Sequence, residues 1–257
     1  MTVSFRLSYG EEDSSCALSV SAGLSAGISL GKVGDMARAR RSEIPDYARF
    51  LDFLGMPTDR VFGVHQVHSK KVIAVDHQTP KSLEGVEADG LVSSRRDVLL
   101  TVTVADCLPI FLVDEQTGAF GLVHSGWKGT GIAVEALRVM AEAFGTRPRD
   151  VTATIGPGIG PCCYAVSQER YERFRAEFGE RAAPASDGAT EGSERGDFRL
   201  DLKAANAQLM ESTGVERVYV AADCTCCSPA LGSFRRDGQG FRRMLAFIGV
   251  MAAGGPK

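Results

Sequence analysis

Between residues 60 and 124 the chain sets short runs rich in β-branched residues between polar or glycine-bearing turns. That spacing demands a sheet at the centre of the fold and excludes a simple helical bundle. The runs are Arg60–His68, Lys71–Val75, Gly90–Val92, Val98–Val104, Pro109–Val113 and Ala119–His124. Leu99 to Val104 is apolar or Thr throughout, so both of its faces are expected to be covered. A strand with one wet face would alternate.

Helical patterns flank this block. Ile44–Leu54 has apolar residues at helical spacing and stops at Gly55 with Pro57 beyond, the expected exit of a helix. Gly131–Phe144 carries the stripe Ile132, Ala136, Met140 and Ala143 and ends at Gly145. Ser167 is placed to cap a helix that ends at Phe178, and Asp201 one that ends at Gly214. Thr2–Ser8, Val151–Ile155 and Arg217–Ala221 read as strands, and Ser233–Met244 leads into an apolar end. Cys16–Asp35, rich in Gly, Ser and Ala, reads as irregular, and Ala182–Gly196 as a mobile polar loop. Strands before, between and after helices predict a mixed α+β chain. With no linker in view, residues 1–257 read as one domain.

Charge narrows the partners. With 29 basic and 32 acidic residues the net charge is -3, which argues against a nucleic acid or an anionic membrane surface and favours a small substrate. No apolar run approaches the roughly 20 residues of a membrane helix, and Met1–Arg6 does not open like a signal peptide. The seven cysteines are Cys16, Cys107, Cys162, Cys163, Cys224, Cys226 and Cys227. Their number is odd and several are adjacent, poor geometry for ordinary disulfides. A cytoplasmic location with thiols free or metal-bound is expected. Oligomeric state is left open.

The chain has four histidines. His65 and His68 fall in a run that reads as strand, where side chains alternate, so one of the two is expected in any given site. His77 lies in a polar stretch and reads as solvated. His124 and Cys107 each close a strand just before a turn, a position where sites are often built. Taken alone, Cys107 reads first as an inert small hydrophobe. Asp106 beside it could be an acid/base, a partner to a ligand, or a turn carboxylate. Lys128 and Arg235 could hold phosphate or stand as solvated charges. Gly156–Pro161 could present N–H groups to a ligand or form a tight turn. Trp127 reads as a pocket wall or core. Cys162-Cys163 and Cys224-Thr225-Cys226-Cys227 have no nearby histidine or second spaced pair and read as incidental thiols. Val104-Ala105-Asp106-Cys107 echoes Ala221-Ala222-Asp223-Cys224, each at a strand end.

Gln66-Val67-His68, Ala88-Asp89-Gly90, Ala105-Asp106-Cys107-Leu108-Pro109, His124-Ser125-Gly126-Trp127-Lys128-Gly129, Ile155-Gly156-Pro157-Gly158-Ile159-Gly160 and Arg235-Arg236-Asp237-Gly238 together resemble the YfiH family. It is also called the laccase-domain, multicopper polyphenol oxidase-like or peptidoglycan editing factor family. The motifs keep the family's order over roughly residues 28 to 248. Departures are Ser69 and Ser125 for small residues beside ligands, Ser29 for an asparagine, and Arg242-Arg243 for Gly-Arg.

The resemblance implies metal ligands at His68, Cys107 and His124. Two imidazoles and a thiolate suit Zn²⁺, and three protein ligands leave a position open, as in catalytic sites. Cu²⁺ is tolerated by the same donors. It also implies an α-β-β-α fold with two mixed β-sheets at the core, like that of cytotoxic necrotizing factor. The implied activity is phosphorolysis of adenosine, inosine and methylthioadenosine, with adenosine deamination. The alternatives are a cysteine hydrolase that edits cell-wall precursors, with Cys107 as nucleophile and His124 as base, a copper-dependent polyphenol oxidase, and a non-enzymatic zinc module. A multicopper oxidase would need more than four histidines.

Overall fold

Every residue of Leu108–Asp114, Phe120–Ser125 and Met244–Gly249 is buried, so these strands have protein on both faces, and the fold is layered around them. The computed structural model describes residues 2–10, 12–18, 20, 22–37, 45–184 and 198–250. In chain order the elements begin with β1 (Thr2–Phe5), β2 (Ser15–Leu18), β3 (Ser25–Ser29), α1 (Pro45–Phe53), β4 (Val61–Phe62) and β5 (Val72–Val75). Then come β6 (Gly90–Ser93), β7 (Leu99–Val104), β8 (Leu108–Asp114), β9 (Phe120–Ser125), α2 (Ile132–Phe144) and β10 (Val151–Ile155). The chain continues with α3 (Gln168–Phe178), α4 (Leu202–Ser212), β11 (Arg217–Ala221), α5 (Phe234–Asp237) and β12 (Met244–Gly249).

A seven-stranded mixed sheet runs β1-β11-β10-β8-β9-β6-β5, and a five-stranded mixed sheet runs β2-β3-β12-β7-β4. Alternation along β8 shows how they stack. Leu108, Ile110 and Leu112 join the core beneath the helices, with Met140 of α2, Phe174 of α3 and Met210 of α4. Phe111 and Val113 point the other way, into the core between the sheets, against Ile28, Val102 and Ile248. Beyond the second sheet, Tyr47, Phe50 and Leu51 of α1 cover Leu99, Leu245 and Phe247. The layers are therefore α-β-β-α. Both faces of β7 are covered, Leu99 toward α1 and Leu100, Val102 and Val104 toward the other sheet. Among the described residues no helix is long and apolar enough to cross a membrane.

Caps stand where the sequence puts them. The Ser167 hydroxyl accepts from the Arg170 N–H, Asp201 from the Ala204 N–H, and Gly145 ends α2 at φ 73°. Two expectations need correction. Cys16–Asp35 is not irregular: it holds part of β2 and all of β3. Its small residues serve close packing, since a Cβ on Gly27 would sit 2.7 Å from the Phe247 ring. The strand expected over Arg60–His68 survives only as Val61–Phe62, paired with Leu99 and Leu100. Beyond it the side-chain amide of Gln66 takes the ladder's place, donating to the Thr103 carbonyl and accepting from the Thr103 N–H, both at 2.8 Å. Of the expected Ala182–Gly196 loop, residues 185–196 lie outside the described residues.

Phe111, 1% exposed, fills the space between the sheets. Phe111→Ala is expected to cost about 3–5 kcal/mol of unfolding free energy, read from urea denaturation as a lower midpoint at unchanged slope.

Candidate metal centre

The chain crosses from the five-stranded to the seven-stranded sheet between β4 and β5 and again between β7 and β8. β4 and β7 are parallel, so both crossings leave from the same end of the sheet. Each carries one metal-capable side chain, His68 on the first and Cys107 on the second. The third, His124, sits near the end of β9, opposite Pro109, where β8 begins. Both crossings are sharp. His68 has φ 59° and Asp106 φ 82°, in the left-handed region that L-residues seldom enter.

The ligand atoms of His68, Cys107 and His124 lie within 4.8 Å of one another, and the two rings meet edge to face with centroids 4.8 Å apart. His65 is excluded as the sequence reading required, but for another reason. Residues 63–71 are not strand: His65 forms an isolated bridge to Glu87 and is exposed. His77 is exposed as well.

Asp89, fully buried at the start of β6, fixes the geometry. Its Oδ2 accepts from the Ser69 N–H at 2.6 Å, the Ser69 hydroxyl at 2.8 Å and the Val67 N–H at 3.2 Å. Its Oδ1 accepts from the His68 N–H at 3.0 Å and lies 2.9 Å from His124 Nδ1. A carboxylate there accepts the hydrogen bond of Nδ1–H, which turns Nε2 toward the site as the ligand atom. Its main-chain carbonyl also accepts from the His124 N–H at 2.7 Å. Burial by itself would raise the Asp89 pKa, but the contacts from His124 and Ser69 outweigh it and hold the carboxyl at about 2.

Cys107 is balanced the same way. Burial raises its thiol, yet His124 and His68 bring it down to about 6. For His124, burial lowers the pKa, and Asp89 and Cys107 hold it up at about 9. The pair thus favours thiolate facing imidazolium, two charges that a cation bound by sulfur and nitrogen would replace with its own. The backbone also closes tightly over the donors: a Cβ on Gly126 would stand 2.8 Å from Cys107 Sγ and 3.2 Å from the His68 ring. The nitrogen and sulfur donors and their convergence fit a zinc-class ion.

Burial grades outward, from buried His124 through half-buried Cys107 to exposed His68. The open side is a pocket of about 290 Å³ walled by Val67, Asp106, Trp127, Lys128, Ile159 and Tyr164. A second pocket of about 310 Å³ shares Trp127 and Lys128 and adds Lys70, Arg170 and Arg173. Arg170 lies 4.5 Å above the Trp127 ring and Lys128 Nζ 5.8 Å from it. A larger cleft of about 700 Å³, near Leu30, Gly31 and Arg242, contains none of the three donors.

Asp106 lines the site pocket with its carboxylate anchored. Oδ1 accepts from the Thr225 hydroxyl and Oδ2 from the Arg235 N–H, each at 2.6 Å. The Arg235 guanidinium donates to the Ala165 carbonyl at 3.0 Å and lies 5.5 Å from the centre of the Tyr164 ring. Sequence reasoning quoted Asp89 without giving it a task. The available signal was an acidic residue at the head of an otherwise apolar strand. It also passed over Tyr164, Arg170 and Arg173.

The family model described as "Multi-copper polyphenol oxidoreductase laccase" matches residues 19–251. A relative from Geobacillus stearothermophilus named "Purine nucleoside phosphorylase YlmD" is 35% identical over 238 residues, 87% of this chain and 84% of that protein. One from Deinococcus radiodurans named "Purine nucleoside phosphorylase" is 34% identical, over 90% of this chain and 85% of its own. Among solved structures, YlmD from Geobacillus stearothermophilus superposes with a TM-score of 0.81 at 29% identity, covering 95% of this chain and 98% of that one. The Bacillus licheniformis hypothetical protein YfiH also gives 0.81, at 25% identity over 93% and 97%.

Asp89→Asn keeps the shape and loses the charge. It is expected to weaken Zn²⁺ binding about 10–100-fold, measured by competition with a chromophoric chelator. Because the folded pKa of Asp89, about 2, lies below the ordinary 3.8, its stabilisation is full above that ordinary value and is lost as pH falls through about 2. The gap in metal-free Tm between wild type and Asp89→Asn therefore narrows on acidification. A gap independent of pH would contradict this account.

Proposed function

The chain belongs to the laccase-domain family, and from that premise we propose that it is a metal-dependent purine nucleoside phosphorylase. One observation carries the reading: an open three-donor site shares a wall, Trp127 and Lys128, with a pocket rich in lysine and arginine. Such a pair of pockets suits a nucleoside in the first and inorganic phosphate in the second. We take residues 1–257 to act as one catalytic unit, because the groups involved run from His68 to Arg235.

In the proposed reaction a phosphate oxygen attacks the ribose C1′ as the C1′–N9 bond breaks. The products are the sugar 1-phosphate (ribose 1-phosphate, or methylthioribose 1-phosphate from methylthioadenosine) and the free base, which takes up the proton that the phosphate loses. Adenosine, inosine and methylthioadenosine are the proposed substrates. Hydrolytic deamination of adenosine, in which water adds at C6 of the base and ammonia leaves to give inosine, is assigned to the same pocket. A divalent ion held by His68, Cys107 and His124, zinc in our reading with copper as the competitor, would supply Lewis-acid polarisation when bound.

The protein's own groups do the rest. Lys128, with Lys70, Arg170 and Arg173 behind it, offsets phosphate charge. Trp127 and Tyr164 offer aromatic faces to a planar base. Asp106, fixed by Thr225 and Arg235, is the anchored acceptor for a substrate proton. We assign the Arg235 guanidinium to holding the Tyr164 wall, where its Nη1 donates to the Ala165 carbonyl.

A second reading has its own support. A Cys107 thiol held at about 6 between two imidazoles is also the setting of a cysteine nucleophile. A hydrolase acting on cell-wall precursors would use Cys107 to attack and His124 to carry the proton.

Purified protein given inosine and phosphate is expected to release hypoxanthine, and to stop when a chelator strips the metal. His68→Ala is expected to lose the ion of the His68–Cys107–His124 centre and turnover together. Lys128→Ala is expected to raise KM for phosphate about tenfold, the worth of one charge-assisted hydrogen bond. Turnover that survives complete metal removal would sink the phosphorylase mechanism, and a covalent adduct on Cys107 in mass spectrometry would favour the hydrolase.

A further inference from the structure

β10 and β11 are parallel neighbours, Ile155 facing Val220, so the loops that leave their ends lie side by side. The first carries Cys162 and Cys163, the second Cys224, Cys226 and Cys227. A bridge between Gly158 and Cys224 and a bond from the Thr225 N–H to the Gly158 carbonyl at 3.2 Å hold the loops together. The sulfurs of Cys162, Cys163, Cys224 and Cys227 all lie within 4.8 Å of one another, and Cys226 stays out of the group. These four are therefore not incidental thiols. The sequence pattern hides them because two adjacent strands bring the pairs together across some 60 residues.

The separations discriminate between a bond and an ion. Cys162 Sγ is 3.7 Å and Cys163 Sγ 3.4 Å from Cys227 Sγ. A disulfide needs about 2.05 Å. Four sulfurs each about 2.3 Å from one tetrahedral ion stand roughly 3.8 Å apart. Cys224 and Cys227 also have the two-residue spacing common to structural zinc sites.

The surroundings suit the anion that would result. The Gly160 N–H donates to Cys224 Sγ at 3.2 Å, and a Cβ on Gly160 would stand 3.2 Å from Cys162 Sγ. Cationic ends brace the same loops. Arg199 donates to the Cys162 carbonyl at 2.8 Å, and buried Lys203 donates to the Ala221 and Asp223 carbonyls at 2.7 Å. An ion with four thiolates carries a net charge of −2 and needs such company.

We propose that Cys162, Cys163, Cys224 and Cys227 form a second metal site, separate from the His68–Cys107–His124 centre, that takes one thiophilic divalent ion of the zinc class. Binding exchanges four thiol protons for the ion and involves no change of oxidation state. With four protein ligands the site is closed, so its role is structural. It ties the loop that supplies Ile159 and Tyr164 to the turn whose Thr225 anchors Asp106, and so braces one wall of the pocket.

The full chain, loaded with Zn²⁺ under reductant and exchanged into metal-free buffer, is expected to hold two ions. His68→Ala should keep one, and cobalt loaded into that variant should show thiolate charge-transfer bands. The double variant Cys224→Ser/Cys227→Ser should lose that ion and melt at lower temperature, whereas Cys226→Ser should keep both. Should the double variant not fold, wild type still decides: Cys162 and Cys227 resist alkylation when zinc is bound and react once it is chelated. A His68→Ala chain that holds no ion, or alkylation of the exposed pair at one rate with and without zinc, overturns the proposal. Neither result bears on nucleoside turnover, so the two readings fail separately.

Discussion

A single buried carboxylate organises the centre. Asp89 receives three consecutive backbone N–H groups, from Val67, His68 and Ser69, and the ring of His124. Those N–H groups belong to a loop that has left its sheet, and the carboxylate supplies the partners that a strand ladder would have given them. The same oxygens that satisfy the loop also fix which nitrogen of His124 faces the site. Positioning of His68 and orientation of His124 are thus one interaction. The unfavourable φ of His68 persists because the carboxylate over-determines the turn.

The layered fold makes this arrangement possible. Two face-to-face sheets need connections where the chain passes from one to the other, and two of these passages turn through left-handed residues, His68 and Asp106. Three residues separate β7 from β8, and among them are Asp106 and Cys107. The core between the sheets, built from Phe111, Phe120, Leu122, Val102 and Ile248, sets the gap that the crossings span. The donors therefore stand in strand β9 and on two connections pinned between the sheets. Exposure of His68 against burial of His124 leaves one side open to substrate-sized molecules.

Much of this was legible in the sequence because it is local. Strand runs, the Ser167 and Asp201 caps and the Gly145 stop depend on neighbours within a few residues, and apart from the Arg60–His68 run they stand where expected. The donors His68, Cys107 and His124 were legible through motif resemblance, and their convergence follows from the topology. What escaped is non-local. No periodicity reveals that Gln66 will replace a ladder pairing at Thr103. Nor does it reveal that β2 and β3 need small residues beneath Phe247, so a Gly- and Ala-rich stretch reads as irregular when it is strand. Net charge averages: -3 over the chain argues against a polyanion as partner and leaves room for a local basic patch, the four cationic side chains that line one pocket.

The echo of Ala-Asp-Cys at the ends of β7 and β11 shows how one local device serves different chemistry. In each copy the aspartate ties the strand exit to a distant segment: Asp106 accepts from the Arg235 N–H, Asp223 from the Leu7 N–H at 2.8 Å. With the exit held, the following cysteine is presented to whatever the neighbouring strand's loop supplies. At the β7 exit the loop after β4 brings His68 and β9 of the other sheet brings His124, and the thiol is drawn down to about 6. Beside β11 the neighbouring loop brings further thiols. The donor set is thus decided by which loops are neighbours, a property of strand order, and the cysteine's own sequence context is the same in both.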